Sequence, residues 1–545
     1  MNVAEAIAEV LKREGVDFIV GYPVNPIIEQ AARRDIRTII VRQERTGLHM
    51  ADAFARLNSG ERFGVFVMQH GPGTENAFGG VAQAYSESVP LLVIPAGYPR
   101  RIAEVDPNFS SALNFKHVAK ISERVLLADS IGEVMRRGIA ALRNGRGRPV
   151  VIEVPVDVFR EEISGELQYE PPPATKYGPS PDDVDRAARA LAEAEHPVLY
   201  AGQGVHYAKA WPELKELAEL LNAPVTTSLE GKSAFPENHP LSLGSGGRSL
   251  PEPVHRFLQE SDVIFGIGCS FGTTGFGIQF PAGKTYIHST LDPADIGKDI
   301  YPDYALVGDA KLTLRAIIET LRSNPGKHAA NRRAEVPARI GEIRDAWMDR
   351  WRPKLESNET PISPYRVIND LIATVDPANH VITHDAGSPR DQISPFWPSI
   401  EPLSYIGWGK TTQLGYGLGL AMGAKLAHPD KLCINVWGDA AIGFTGMDFE
   451  TAVRERLPIL SILLNNFSMA IELPIMQAAT EKYRSTDISG NYADMAKAFG
   501  GYGERVTDPG EIKAAIKRGI ARTEEGTPAL LEFITSQEIE YSVFR

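Results

Sequence analysis

Cysteine is almost absent from this sequence of 545 residues, which contains only two, Cys269 and Cys433. Both fall in stretches predicted to be buried strands, so we expect neither a disulfide framework nor a cysteine-based metal site, and a reducing cytoplasm fits this composition. No apolar run approaches the roughly 20 residues of a membrane span, and no charged start followed by an apolar block marks a signal peptide. We therefore expect a cytoplasmic protein without a membrane partner.

Runs of basic residues are also missing, and the formal net charge is -12. An acidic chain without a basic cluster lacks the electrostatic footprint of a nucleic-acid binder, so nucleic acid is not expected as a partner either. Short tandem repeats and low-complexity tracts are absent. What is present is 43% hydrophobic and 23% charged residues, the composition of an ordinary globular protein. The length predicts about three domains.

Alternating helix and strand patterns predict an α/β fold with three doubly wound parallel sheets. The first domain is expected at residues 1–165 and the second at 182–330, with a proline-rich linker at 170–181 between them. A polar connector then leads to a third domain at 361–545, which ends in a short tail. The first and third domains are similar in size and winding, which suggests a paired architecture.

The third domain contains the most informative stretch, residues 433–468. An apolar strand, a Gly-Asp turn ending in Asp439, a helix at about 447–457 and a second apolar strand ending before Asn466 follow one another. Because such a βαβ unit has parallel strands, both side chains are expected at the carboxyl ends of neighbouring strands, where open α/β sheets bind ligands.

These two side chains offer hard oxygen ligands. The Asp439 carboxylate, the Asn466 amide oxygen and the carbonyls of the following loop suit an octahedral Mg²⁺ that also holds phosphate oxygens. The sequence therefore predicts a diphosphate site. The alternative is an ordinary turn, since any α/β protein can place Asp and Asn at such positions.

The stretch resembles the thiamine diphosphate fingerprint, in which a Gly-Asp turn is followed by the second Asn of an Asn-Asn pair. The fingerprint spacing is 27 residues, and 439 plus 27 gives 466. The resemblance implies that Asp439, the Asn466 side chain and the Ser468 carbonyl bind Mg²⁺. It also implies that Gly438 and Ala440 belong to the cofactor site.

Further stretches resemble the acetolactate synthase and pyruvate decarboxylase superfamily across nearly the whole chain. They are residues 41–60 and 70–94 in the first domain, 197–205, 230–244 and 291–298 in the second, and 363–371 and 413–427 in the third. The resemblance implies a homodimer or homotetramer. In it, the pyrimidine-binding first domain of one subunit faces the diphosphate-binding third domain of another. The central domain of relatives holds FAD, ADP, CoA or nothing, and the glycine-rich residues 266–272 leave that choice open.

The resemblance also implies roles at the reacting end of the cofactor. Glu44 matches the glutamate that bonds N1′ of the pyrimidine and so promotes removal of the weakly acidic C2 proton. Leu414 matches the bulky residue that bends the cofactor, and the Thr412 carbonyl matches the acceptor for its 4′ nitrogen. Taken alone, Glu44 is also an ordinary acid in the first turn of a helix.

Two further side chains bear on which reaction is catalysed. His70 can orient substrate or move a proton because histidine changes charge near neutral pH, and the alternative is a hydrogen-bonded structural histidine. Glu472 matches a glutamate that relays protons to the reaction intermediate in pyruvate decarboxylases, and the alternative is an exposed glutamate on a helix. Gln43 and Arg45 replace the usual His and Gln around Glu44.

The interpretation that follows is a thiamine diphosphate- and Mg²⁺-dependent carbon-carbon lyase or carboligase similar to acetolactate synthase. It acts on the bond next to the carbonyl of a 2-oxo acid, with pyruvate as the default substrate. A 2-hydroxyacyl-CoA lyase, which yields formyl-CoA and an aldehyde or ketone, is the alternative within the enzyme class. A non-catalytic relative is the third hypothesis, and Glu44 argues against it because binding alone needs no partner for N1′.

Overall fold

The computed structural model describes residues 1–323, 325, 326 and 328–544. Within them, 18 strands form three six-stranded sheets with helices between the strands. Every pair of neighbouring strands is parallel. The prediction of three doubly wound parallel sheets is confirmed. None of the described helices combines the length and the apolar character that crossing a bilayer requires.

The first sheet has the strand order β2-β1-β3-β4-β6-β5. Its strands are β1 Phe18–Gly21, β2 Arg37–Ile40, β3 Gly64–Met68, β4 Leu91–Gly97, β5 Ile121–Arg124 and β6 Val150–Pro155. Its helices are α1 Val3–Arg13, α2 Ile27–Ala32, α3 Glu44–Leu57, α4 Pro72–Ser86, α5 Ser111–Asn114 and α6 Ile131–Arg143. Strands β3, β4 and β6 are buried along their whole length because helices cover both faces of a parallel sheet.

The second sheet has the strand order β12-β11-β10-β7-β8-β9. Its strands are β7 Pro197–Ala201, β8 Val225–Thr227, β9 Ser242–Ser245, β10 Val263–Ile267, β11 Thr285–Thr290 and β12 Tyr304–Val307. Its helices are α7 Pro181–Glu193, α8 Gly204–Ala208, α9 Trp211–Leu221, α10 Glu252–Glu260, α11 Ala310–Arg322 and α12 Ala329–Leu355. Strands β9 and β12 lie at the two edges of this sheet. Both are four-residue edge strands, and such strands lack the apolar run that marks a buried strand.

The third sheet has the strand order β14-β13-β15-β16-β18-β17. Its strands are β13 His380–His384, β14 Tyr405–Ile406, β15 Leu432–Gly438, β16 Leu460–Asn465, β17 Tyr502–Val506 and β18 Ala529–Ile534. Its helices are α13 Pro364–Ile372, α14 Ser388–Ile393, α15 Tyr416–Ala427, α16 Asp439–Thr445, α17 Phe449–Arg454, α18 Gln477–Tyr483, α19 Tyr492–Ala498 and α20 Ile512–Glu524. When the strands of each sheet are numbered from one in chain order, the first and third sheets both have the order 2-1-3-4-6-5.

The helix predicted at 447–457 differs in the structure. Helix α16 begins at Asp439, directly after β15, and gives way to a 3-10 turn at Gly446–Asp448 before α17 begins. Glycine weakens a helix interior, and the glycines at 443 and 446 lie where the helical path changes. Cys433 lies in β15 as predicted, whereas Cys269 follows the end of β10, where burial raises the pKa of its thiol to about 12.

The described chain divides into two compact units. The first unit contains residues 1–175, 415–430 and 443–458, and the second contains the rest. Within the first unit, α15 packs closely on α3. A Cβ atom added to Gly423 would lie 2.2 Å from the Met50 carbonyl oxygen, and one added to Gly419 would lie 2.4 Å from the His49 Cβ atom. The two glycines therefore permit this approach of the helices.

A buried polar network fixes the same helix pair. The Arg56 Nε atom donates to Asp52 Oδ1 at 2.6 Å, and the Tyr416 hydroxyl donates to the other oxygen of Asp52. The Arg56 Nη2 atom also donates to the Tyr416 hydroxyl at 3.1 Å. Because the Asp52 and Arg56 charges are paired and hydrogen-bonded, both side chains can be buried away from water.

Candidate active site

Glu44 is the first residue of α3 and lines a cavity of about 410 Å³ in the first unit. Its side chain is 3% exposed, and burial raises the pKa of its carboxyl. The Asn76 side-chain amide donates to Glu44 Oε2 at 3.3 Å, which partly opposes that shift. A carboxyl with a raised pKa holds its proton closer to neutral pH, which suits proton sharing with a ligand nitrogen.

Buried polar atoms beside Glu44 have no partner in the described part of the chain. They are the Gln43 side-chain oxygen and the Arg45 Nε atom. Burial lowers the pKa of Arg45, whose guanidinium lies 5.6 Å from the centre of the Phe444 ring. Gln43 lines the cavity, and because unsatisfied buried polar groups are costly, its side-chain oxygen indicates that a polar ligand fits there.

Among the residues of this cavity, sequence reasoning singled out Glu44 as a site residue and missed the others, including Asn76 and Asp448. Asp448 is buried, which raises the pKa of its carboxyl, and its Oδ1 atom accepts from the Arg42 backbone N–H at 2.8 Å. The signal available for Asn76 was its place just after the Gly-Pro-Gly stretch, one turn into α4. Asp448 had no comparable signal, because it lies about 400 residues after Glu44 in the sequence, with Phe444, Thr445 and Met447 as its neighbours in the cavity.

His70 is not among the residues that line the Glu44 cavity, whereas its neighbour Gln69 is. The His70 ring meets the Tyr98 ring edge-on, with 4.5 Å between ring centres. Burial lowers the pKa of His70, and its buried Nδ1 atom has no hydrogen-bond partner in the described chain. The predicted role of His70 in proton transfer stays a prediction.

The second unit contains a separate cavity of about 220 Å³. Eight of the residues predicted from the sequence line it: Thr412, Leu414, Gly438, Asp439, Ala440, Asn466, Ser468 and Glu472. They come from the segment before α15 and from the loops that follow β15 and β16. The structure thus brings together every candidate residue that the sequence analysis placed in the third domain.

Asp439 and Asn466 are held by a single backbone group. The Ser468 N–H donates to Asp439 Oδ2 at 3.1 Å and to Asn466 Oδ1 at 3.0 Å. The other Asp439 oxygen accepts from the Ala440 N–H at 2.9 Å. Burial raises the pKa of Asp439 to about 6 in spite of these bonds, so a bound cation would stabilise the charged form of this carboxyl.

The two asparagines after β16 have different surroundings. The Asn465 side chain donates to the buried Glu532 at 2.7 Å and accepts from the Phe467 N–H at 3.1 Å. Phe467 adopts a left-handed backbone conformation, with φ of 56°, at the turn that follows. Asn465 therefore fixes the turn, and Asn466 faces the cavity.

The donor set at this cavity fits a magnesium diphosphate. Asp439 and Asn466 provide hard oxygen atoms of the kind Mg²⁺ prefers. Among the described residues no group of three or more His, Cys, Asp or Glu side chains could hold a metal ion. A metal at Asp439 would therefore depend on amide, carbonyl and phosphate oxygens. Gly387 also lines this cavity and adopts φ of 81°, and a Cβ atom added to it would meet no atom within 4 Å.

Other lining residues were not predicted. The loop and helix after β13 contribute Gly387, Ser388, Arg390 and Gln392, and the tail contributes Thr535 and Ser536. The available signal was a Gly-Ser-Pro turn directly after an apolar strand. The tail is fastened beside the loop, since the hydroxyls of Tyr541 and Ser388 lie 2.8 Å apart.

The glycine-rich strand end of the central domain has a packing explanation. A Cβ atom on Gly266 would lie 2.3 Å from the Phe271 ring, and one on Gly268 would lie 2.8 Å from Gly204. Both glycines thus permit close chain packing without any ligand. The expectation of FAD, ADP or CoA at this domain stays a prediction.

Comparison with known protein families gives three matches in chain order. Residues 1–118 match the model described as thiamine pyrophosphate enzyme, N-terminal TPP binding domain. Residues 184–317 match the thiamine pyrophosphate enzyme central domain. Residues 385–533 match the thiamine pyrophosphate enzyme C-terminal TPP binding domain.

Curated relatives are similar along almost the entire chain. A probable acetolactate synthase large subunit of Methanococcus aeolicus is 30% identical over 98% of this chain and 92% of the relative. Its counterpart in Methanocaldococcus jannaschii is 31% identical over 98% and 92%. The acetolactate synthase isozyme 3 large subunit of Escherichia coli is 29% identical over 95% and 92%.

Proposed function

The chain belongs to the thiamine diphosphate-dependent enzyme superfamily and is acetolactate synthase-like, and from this premise we propose that it is a Mg²⁺-dependent carboligase acting on 2-oxo acids. The proposal rests on one observation: at the cavity of the second unit, the Ser468 backbone N–H donates hydrogen bonds to the side chains of both Asp439 and Asn466. This arrangement presents two oxygen ligands together at the ends of adjacent parallel strands.

The proposed residues for the metal are Asp439, Asn466 and the Ser468 carbonyl, with Gly438 and Ala440 beside the diphosphate. When bound, thiamine diphosphate supplies a carbon nucleophile that attacks the carbonyl of a substrate. Mg²⁺ at Asp439 would stabilise the charged form of this buried carboxylate.

Glu44 is proposed to hold and share a proton with the cofactor's pyrimidine nitrogen. Three observations support this role: the carboxyl is buried, its pKa is raised, and the Asn76 amide donates to it over a long 3.3 Å hydrogen bond. A buried carboxyl that is weakly bonded can exchange its proton with a ligand without first breaking a strong ion pair.

The remaining side chains are proposed to shape the cofactor and move protons. Leu414 would support the bent cofactor, and the Thr412 carbonyl would accept from its amino group. Glu472 lines the same cavity as Asp439 and would deliver or remove a proton near the substrate. His70 is retained as a proton-transfer candidate of the first unit.

The proposed reaction joins two molecules of a 2-oxo acid such as pyruvate. In the first molecule the bond between the carboxylate carbon and the carbonyl carbon breaks, and CO₂ leaves. The electron pair of that bond forms a new bond to the carbonyl carbon of the second molecule, whose oxygen takes up a proton. The second carboxylate is kept in the product, so two pyruvate ions and one proton give one acetolactate ion and CO₂.

The proposed assembly is a homodimer or homotetramer in which Glu44 of one subunit serves Asp439 of another. A mixing experiment tests it with two variants that are each inactive, Glu44→Gln and Asp439→Asn. When subunits of the two variants, mixed in equal amounts, exchange at random, about half of the symmetric dimers are hybrids. Each hybrid has one of its two sites intact, so activity returns to about a quarter of the wild-type level. Activity that stays at the background level after confirmed subunit exchange would contradict the shared site.

The reaction itself is tested by carbon NMR of the purified protein with thiamine diphosphate and Mg²⁺. Labelled pyruvate is added to one tube, and formyl-CoA with acetone to another. Carbon dioxide together with acetolactate or acetoin in the first tube supports the proposal and identifies the acceptor. Carbon dioxide with acetaldehyde as the product would show decarboxylation without ligation and would contradict the carboligase. A new 2-hydroxyacyl-CoA in the second tube, with pyruvate unchanged, would replace the proposal by a 2-hydroxyacyl-CoA lyase with a CoA site in the central domain.

A further inference from the structure

Arg390 is a buried cation in the cavity that contains Asp439. The side chain is 1% exposed and belongs to α14, which follows β13. Its Nε and Nη2 atoms donate to the two carboxylate oxygens of Asp391 at 3.0 and 2.8 Å. The third nitrogen, Nη1, is buried and has no hydrogen-bond partner in the described chain.

The surroundings of Arg390 leave one direction open for a ligand. The centre of the Phe276 ring lies 4.5 Å from the guanidinium carbon, so the ring covers one face of the group. Asp391 occupies the edge formed by Nε and Nη2. Guanidinium N–H groups donate in the plane of the group, so the Nη1 edge is left to receive an oxygen atom.

An arginine in this setting needs an acceptor. The guanidinium stays protonated in proteins, so it cannot relieve an unpaired N–H by losing a proton. A buried donor to which nothing is bonded is costly, and such donors mark functional sites when they face a cavity. Both Arg390 and Phe276 line the cavity.

We propose that the Nη1 edge of Arg390 binds the carboxylate of the second, accepting 2-oxo acid. This inference rests on the proposed function. A hydrogen bond to the carboxylate of the first 2-oxo acid would stabilise a charge that disappears as CO₂ leaves. Such a bond would therefore slow decarboxylation. The carboxylate of the acceptor persists through bond formation, so a hydrogen bond to it positions the acceptor without opposing the reaction.

The cofactor diphosphate is the competing source of an anionic oxygen. Strand β13 pairs directly with β15, so Arg390 and Asp439 both follow strand ends at the same edge of the sheet, and position alone does not separate the two sources. The charge of the pair does separate them, because Asp391 cancels the Arg390 charge and the pair offers directed donors with no net positive charge. Such a pair suits a single carboxylate better than a diphosphate.

The cavity wall also suits a small 2-oxo acid. Its apolar residues include Phe276, Leu414, Leu464, Met469 and Ile471. They provide contacts for a short hydrocarbon chain, and the Arg390 edge provides the contact for a carboxylate. The structure therefore favours a carboxylate-bearing acceptor with a short apolar chain over a neutral aldehyde.

The test removes both charges of the pair, with Arg390→Gln and Asp391→Asn combined, so that no unpaired carboxylate stays buried. The matched control combines Arg366→Gln with Asp370→Asn, which removes an ion pair on α13 whose residues do not line the cavity. Each holoenzyme receives labelled pyruvate together with acetaldehyde. The amounts of acetolactate and acetoin formed in the same reaction are then measured. Thermal midpoints and thiamine diphosphate dissociation constants are measured for all proteins.

In the double variant at Arg390 we expect the ratio of acetolactate to acetoin to fall by about 10- to 100-fold, the range for a hydrogen bond to a charged group. CO₂ release in the presence of acetaldehyde and cofactor affinity should stay within about threefold of the wild type. Binding of 2-hydroxyisobutyrate, followed by calorimetry, should weaken by about tenfold or more. The control should keep the wild-type ratio.

Other outcomes overturn the inference in distinguishable ways. Weaker cofactor binding with an unchanged product ratio would assign Arg390 to the diphosphate. An equal loss of both products with a lowered thermal midpoint would make the pair structural. A wild-type holoenzyme that releases no CO₂ from pyruvate would overturn the proposed function itself, and the acceptor site with it.

Discussion

The backbone N–H of Ser468 donates to Asp439 Oδ2 at 3.1 Å. The bond joins the end of β15 to the loop after β16, and the same N–H also reaches the side chain of Asn466. Two predicted metal ligands that are distant in sequence thereby acquire a fixed separation before any ligand binds. Such preorganisation lowers the entropy cost of holding a metal and a diphosphate together.

Asp439→Ala should weaken the joint binding of Mg²⁺ and thiamine diphosphate by at least about 100-fold, because the only carboxylate of the proposed ligand set is lost. The measurement is calorimetric titration of the cofactor at saturating Mg²⁺. The rise in thermal midpoint on adding cofactor should disappear in parallel, since stabilisation depends on the ratio of ligand concentration to dissociation constant. Asp430→Asn, at an exposed acid before β15, serves as the control. Cofactor binding of wild-type strength in Asp439→Ala would disprove the metal assignment.

Glu44→Gln should abolish exchange of the cofactor's C2 proton while leaving the cofactor bound. The amide keeps the shape of the side chain but cannot share a proton with the pyrimidine nitrogen, and general acid-base groups typically contribute about 100- to 10,000-fold. Hydrogen-deuterium exchange of bound cofactor, followed by proton NMR after acid quench, provides the rate. Glu75→Gln, at an exposed acid on α4, should exchange at the wild-type rate. Wild-type exchange in Glu44→Gln would refute the mechanism.

Glu44 should also make the stability of the cofactor-free protein depend on pH. Burial raises the pKa of the folded-state carboxyl above its value in the unfolded chain, so the folded state binds this proton more tightly. Its contribution to stability is complete at low pH and is lost as pH rises through the folded-state pKa. The Glu44→Gln variant has no carboxyl at this position and therefore does not show this loss of stability with rising pH. Thermal midpoints recorded from about pH 4 to pH 8 should therefore decline less steeply in the variant than in the wild type. Parallel curves would show that Glu44 does not titrate above its ordinary range.

Gly423→Ala should destabilise the first unit by about 1–3 kcal/mol, the usual cost of an overpacked contact. The added methyl group would lie 2.2 Å from the Met50 carbonyl oxygen, which belongs to the backbone of α3 and has little freedom to move away. Urea-induced unfolding provides the midpoint. The comparison is Gly341→Ala in α12, where the Cβ atom meets nothing within 4 Å and helix propensity predicts a gain of up to about 1 kcal/mol. Equal midpoints for the two variants would mean that α15 and α3 are not in close contact.

The sequence by itself determined the three-sheet fold and the residues at the ends of β15 and β16. Apolar runs, helical periodicity and the position of a polar residue after a strand are local properties, and local patterns are enough to place Asp439 and Asn466 at one edge of a parallel sheet. The spacing of these two residues also pointed to the cofactor class, which the family matches bear out. Local pattern is weakest at edge strands such as β9 and β12, which are only four residues long.

Only the tertiary structure decided which other side chains face the two cavities. Asn76 and Asp448 approach Glu44 from distant parts of the chain, and Phe276 of the central region covers Arg390 of the third sheet. Likewise, Asn465 and Asn466 are adjacent in sequence, yet the buried Glu532 binds the first and leaves the second facing the cavity. Such contacts depend on how buried faces pack across long separations in sequence, and a periodic pattern specifies which face of an element is buried but not what it is buried against.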